Sequence, residues 1–209
     1  MTTVRPLRQD AARNRERLVA AAREVFRRKG LNAPLEEIAR HAGVAIGTLY
    51  NRFPARGELV DAALGPLAQQ GVEVAERALR ASDPWDGFAC YMEGICALLA
   101  GDRGYADVHR SRAAGTPVID AALERTSALK AAIMTRAKAA GMLRADVESA
   151  DLVLLFWGIA AIADATRDRA PDAWRRQLAL LLDGLRPGGA HPLPGPPLTV
   201  RQLGGAAPR

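Results

Sequence analysis

Strand-like alternation of apolar and polar residues is missing from this chain, and aromatic residues are scarce at 5%. The first absence argues against a core built on a sheet. The second, with recurrent Ala-Leu-Arg runs, favours helices by propensity. Cysteine is nearly absent as well. Cys90 and Cys96 lie six residues apart, which turns them about 240° around a helix and separates them for a disulfide or a shared metal. The three histidines, His41, His109 and His191, are scattered and form no ligand pattern. No metal and no cofactor is therefore expected. No run of 18 apolar residues is free of a charge or a breaker, so no membrane span is expected. The opening MTTVRPLRQDAARNRER has no apolar core and does not read as a secretory signal. The expectation is a cytoplasmic protein, with no membrane partner.

What is present is more telling. Of 29 Lys and Arg residues, 12 fall within residues 1–60, against 6 of the 23 acids. That segment therefore carries +6, while the remainder balances at 17 against 17. A basic head on a neutral body is the distribution expected of a nucleic-acid-binding protein. A solvated basic helix would give the same count, so charge alone leaves both readings open.

Along the chain, apolar spacing and breakers predict an all-α fold. The first helix covers about residues 11–29, with Leu18, Ala22, Val25 and Phe26 on one face and Gly30 as a stop. Pro34 suits the first turn of a second helix, LEEIARHA, which ends at Gly43. A short third helix, IGTLYNRF, is closed by Pro54. The fourth begins near Arg56 and contains Gly65-Pro66, which predicts a kink. Further helices are expected at about 85–100, 105–113, 118–140, 149–168 and 172–185, separated by Pro and Gly. From about residue 187 the composition shifts to Pro and Gly, which predicts a disordered tail. The expected organisation is a head at 1–60, a helical body at 61–186 and the tail at 187–209.

Residues 35–53 carry the function. Two short helices crossing at a sharp angle need a small residue at the crossing and a glycine in the turn. Ala39 and Gly43 supply them, and Ile38, Ala42, Val44 and Leu49 form the inner apolar face, with Phe26 and Phe53 to seal it. The outer face of the third helix bears Ile46, Gly47, Thr48, Tyr50, Asn51 and Arg52, small or polar groups suited to the wall of a major groove.

The run from Arg17 to Leu64, and above all AGVAIGTLYNRF at 42–53, resembles the N-terminal DNA-binding domain of TetR-type regulators. Turn glycine, Leu-Tyr pair and closing Phe fall at that family's offsets. The resemblance implies a helix-turn-helix in which Tyr50 and Arg56 contact phosphates and Thr48 a phosphate or base edge. Ala45, Ile46, Gly47 and Asn51 would face the bases, and Asn51 is suited to adenine. Arg13, Arg17 and Arg40 are expected as further phosphate contacts. The chain departs from the family pattern at Arg52, where His is usual, at Ala45, which has no capping side chain, and at Gly57, where an acid is usual.

MLRADVESADLVLLFWGIAAIAD and DAWRRQLALLLDGLR resemble the C-terminal domain of SbtR-like members. This implies a homodimer joined through the last two long helices, with Leu152, Leu155, Phe156, Ile159, Leu178, Leu181, Leu182 and Leu185 as interface candidates. It also implies a small-molecule cavity. Phe88, Tyr91, Met92, Ile95, Met134 and Trp157 are the expected lining, with His109 and Arg112 as polar handles. A mostly apolar lining would suit an apolar or amphipathic effector. The resulting expectation is a bacterial DNA-binding regulator, a repressor released from a palindrome on double-stranded DNA and held at the nucleoid while bound. No nucleophile–base pair, phosphate loop or metal cluster supports an enzyme. A protein that coats DNA without effector control would share the basic head.

Overall fold

The computed structural model describes residues 5–111, 116–188, 191–199 and 202–203. Among them are nine helices and no strand. The head comprises α1 (Arg5–Lys29), α2 (Leu35–Ala42) and α3 (Ile46–Arg52). Helix α1 starts six residues earlier than apolar spacing predicts, because Pro6 falls in the first turn, where its missing N–H is no loss. Gly30 ends α1 at φ +77° and donates to the Phe26 carbonyl at 2.8 Å. Gly43 ends α2 at φ +64°, with its own N–H on Arg40 and that of Val44 on Ala39. A left-handed residue there turns the chain sharply into α3 without leaving the last carbonyls of α2 bare.

The expected inner face holds. Leu18, Ala22, Phe26, Ile38, Ala39, Leu49 and Phe53 are all buried and fuse the three helices into one small core. Ala45 precedes α3 with no side-chain cap, and its carbonyl accepts from Thr48 at 2.9 Å.

The body consists of α4 (Arg56–Arg80), α5 (Pro84–Gly101), α6 (Arg103–Ser111), α7 (Pro117–Ala139), α8 (Ser149–Thr166) and α9 (Ala173–Gly184). Helix α4 runs on through Pro66, which faces solvent. It packs chiefly on α7 and α5, and α5 in turn carries α8 and α9. Caps fix several starts. Asp83 accepts the Asp86 N–H at 2.8 Å at the head of α5. The Asp61 carboxylate on α4 accepts the N–H groups of Val118 and Ile119, each at 3.0 Å, anchoring the first turn of α7. Glu148 and Asp151 form a reciprocal capping box at α8.

Where composition predicts a disordered tail, residues 191–199 lie against the body. Arg144, ion-paired to Asp146 at 2.7 Å, donates to the His191 carbonyl at 2.5 Å. The Leu193 N–H reaches Asp146 at 3.4 Å. A Pro-rich segment needs no helix to be held when its main chain finds such partners.

Candidate DNA-binding face and effector cavity

The outer surface of α3 is built by subtraction. Leu49 is drawn into the core, which leaves Ala45, Gly47, Tyr50, Asn51 and Arg52 exposed and Ile46 and Thr48 half-buried. Tyr50, 49% exposed, presents its ring and hydroxyl to solvent in a chain that otherwise hides its aromatic residues. A side chain added at Gly47 would meet nothing within 4 Å. Ala45, Gly47, Tyr50, Asn51 and Arg52 thus stay open to solvent on one short helix.

The flanking cations divide into two sets. Arg13 and Arg40 are exposed. Arg17 is exposed too, but its guanidinium reaches back to the Gly43 carbonyl at 3.3 Å and spans the turn. Arg56 is also committed within the chain: it donates to the carbonyls of Leu31 and, at 2.7 Å, Ala33, and lies 5.9 Å over the Phe26 ring. Its geometry therefore ties the start of α4 to the loop between α1 and α2. Arg15, absent from the expected set, lies 5.2 Å over the Phe53 ring.

A cavity of about 470 Å³ opens between α6, α7 and α8, with Tyr91 of α5 at its wall. Of the expected lining, Tyr91, His109 and Trp157 are there. Phe88, Met92 and Ile95 are fully buried and Met134 nearly so, and none reaches the cavity; they fill the core between α5 and its neighbours. Arg112 lies outside the described residues. The sequence reading missed Leu123, Thr126, Ser127, Lys130, Val153 and the tail residues Pro197, Leu198, Thr199 and Leu203, all of which border the space. One signal for Lys130 was in plain view. It falls on the face of α7 marked by Ala122, Thr126, Ile133 and Ala137, where an apolar side chain fits the periodicity.

The polar groups of the cavity are unusually placed. The His109 Nε2 is buried without a hydrogen-bond partner, although its backbone carbonyl accepts the Trp157 indole N–H at 3.3 Å. Burial, with the nearby Lys130 charge, pulls the His109 pKa down to about 4, so the ring is neutral at pH 7. Lys130 is 7% exposed, and burial lowers its pKa as well. Burial likewise pushes the Tyr91 phenol far above its usual range, keeping it protonated.

The expected dimer residues are mostly turned inward. Leu152, Phe156, Ile159, Leu178 and Leu185 are buried within the chain itself, and Leu155, Leu181 and Leu182 pack part-buried beside them. Phe156 lines the cavity. Apolar spacing identified the inner face of α8 and α9; the outer face carries exposed Leu154, Gly158, Ala161 and Ala165 on α8 and exposed Leu180 on α9.

Two family matches cover most of the chain. Residues 18–63 match bacterial regulatory proteins of the tetR family, and residues 83–187 match the C-terminal domain of SbtR-like transcriptional regulators. A TetR transcriptional regulator from Streptomyces coelicolor of known structure is 32% identical, over 84% of this chain and 99% of that one, with a TM-score of 0.53. FadR from Bacillus subtilis, solved with stearoyl-CoA, shares the fold at 19% identity, over 83% and 98% of the two chains, with a TM-score of 0.62. A ketosteroid transcriptional regulator of Mycobacterium tuberculosis does so at 18% identity, over 82% and 94%, with a TM-score of 0.57. No curated protein matches significantly in sequence. Head, body and their order along the chain thus agree, and this protein belongs to the TetR family of transcriptional regulators, whose members are DNA-binding proteins and not enzymes.

Proposed function

We propose that the chain acts in the bacterial cytoplasm as a homodimeric repressor, released from a palindromic operator when a small molecule fills the cavity beside α6. The observation that carries this reading is the position of α6 between the two sites. Its His109 borders the cavity, while its Asp107 accepts the Leu31 N–H at 2.9 Å in the loop that joins α1 to α2. On the same helix, Arg103 bonds the Arg28 carbonyl at 2.6 Å and pairs with Asp164 of α8. A ligand that displaced α6 would therefore pull on the head.

The outer stripe of α8 and α9 supports the dimer. Helix α8 has a mean hydropathy of 1.5, high enough by length and composition to cross a membrane, yet only 33% of that window is buried within the chain. Leu154 and small Gly158, Ala161 and Ala165 give a mate room to pack closely. Two heads held about 34–36 Å apart would meet successive major grooves. Effector coupling of ~1–3 kcal/mol would loosen binding about 5- to 150-fold.

The test is selection of duplexes from a random pool, followed by footprinting on DNA flanking the gene and affinity measured against salt. A discrete palindrome and a steep salt slope are expected. Tyr50→Phe should weaken all sequences alike, and Asn51→Ala should relax preference at one base pair. Uniform coverage of any duplex would instead favour a coating protein, and a flat salt slope would defeat phosphate contact altogether.

A further inference from the structure

Lys130 has the burial of a core residue and the charge of a ligand-binding one. Its side chain is 7% exposed, and its one hydrogen bond among the described residues is a long contact, 3.4 Å, to the Ser149 carbonyl. No described carboxylate pairs with it. Glu148, which also borders the cavity, is engaged by Lys138 at 3.2 Å, and the neighbouring cation Arg110 is held by Asp107 at 3.1 Å. Beside Lys130 stands His109, whose buried Nε2 has no partner. A desolvated ammonium without a counter-ion is costly, and so is a buried ring nitrogen without a hydrogen bond. Both residues border one space, which Tyr91, Phe156 and Trp157 also line.

We propose that the effector is an organic acid, its carboxylate held by Lys130 Nζ and His109 Nε2 and its apolar, aromatic-compatible body lying against Tyr91, Phe156 and Trp157. This rests on the effector reading above and narrows it to a charge class. An amine would be repelled by Lys130. A neutral ligand would leave the ammonium buried and unpaired, whereas a carboxylate satisfies ammonium and imidazole together. The space of about 470 Å³ suits a compact amphipathic molecule.

The test titrates the full-length protein at pH 7 with 4-phenylbutanoate and, separately, with 4-phenylbutan-1-ol, which matches its body and lacks the charge. Calorimetry and intrinsic tryptophan fluorescence follow binding. The acid should bind about tenfold or more tighter than the alcohol. Lys130→Met, which exchanges a buried ammonium for an apolar side chain of similar length, should fold normally and abolish the preference for the acid over the alcohol. Lys130→Arg should retain part of it. Equal binding of acid and alcohol to the native protein would overturn the charge assignment and leave the effector cavity standing. So would a preference that survives Lys130→Met. Binding of neither probe would overturn both.

Discussion

The Asp107 carboxylate accepts the Leu31 N–H at 2.9 Å, joining residues 76 positions apart and fastening the body's α6 to the head. Gly30, the residue before, sits so close that a Cβ placed on it would lie 2.3 Å from the same carboxylate oxygen, and its φ is +77°. Gly30→Ala therefore faces both a left-handed backbone and a displaced hydrogen bond. It should cost about 2–4 kcal/mol, read from urea unfolding. Asp107→Ala, which frees the N–H without a clash, should be milder and should blunt the effector's influence on DNA affinity. If that variant transmitted the response undiminished, α6 would not be the connecting element.

Leu154 and Leu180 are 40% and 58% exposed, on the outer sides of α8 and α9. Changing both to Glu should leave helicity intact, since neither supports the chain's own core. Sedimentation should then find monomers where the native protein is dimeric, with a matching loss of affinity for paired half-sites. A double variant that stays dimeric would place the mate elsewhere.

His109 gives stability a pH dependence of definite sign. Its folded pKa is about 4, and an unfolded histidine titrates near about 6.5. As pH falls, the unfolded chain takes up the proton first, so the stability associated with the neutral buried ring is complete above about 6.5 and drains away toward 4. His109→Gln should therefore flatten the decline between pH 7 and 4.5 relative to the native protein. Parallel curves for the two would show that the ring is hydrated in solution.

The tail offers a fourth test. Pro197, Leu198, Thr199 and Leu203 border the cavity, and Arg144 with Asp146 holds the strap that carries them there. Ending the chain after Gly188 should hardly move the melting temperature, because the helical core is untouched. It should raise the association rate of 4-phenylbutan-1-ol severalfold, measured by stopped-flow fluorescence. An unchanged rate would show that the ligand arrives by another side.

The head was legible because its determinants are local. Ala39, Gly43, Leu49 and Phe53 act within a few residues of one another, so spacing alone reports their roles. The body was legible as helices and much less so as surfaces. Periodicity marks Leu152, Phe156 and Ile159 as one apolar face, yet it cannot say whether core, cavity or a mate covers that face. Leu154, two residues from Leu152, belongs to a different environment, and only the packing of α5 against α8 separates them. Phe88 and Met92 went astray for the same reason: a large apolar side chain on a central helix serves a core before it serves a ligand. Arg56 shows what a motif leaves unsaid. Its position in the motif matches a phosphate contact, whereas its guanidinium here is spent on two backbone carbonyls.

The open space above Gly47 has an evolutionary side. Ala45, Gly47 and Asn51 project from α3 without supporting the head's core, which Leu49 and Phe53 hold from beneath. Under the proposed DNA-binding role, substitutions at those three positions should change which operator is read at little cost to folding. Duplicated copies of such a gene could thus diverge to separate targets by a few exposed changes, and an engineer could recode the same positions into orthogonal switches while the cavity, which α3 does not line, stays as it is.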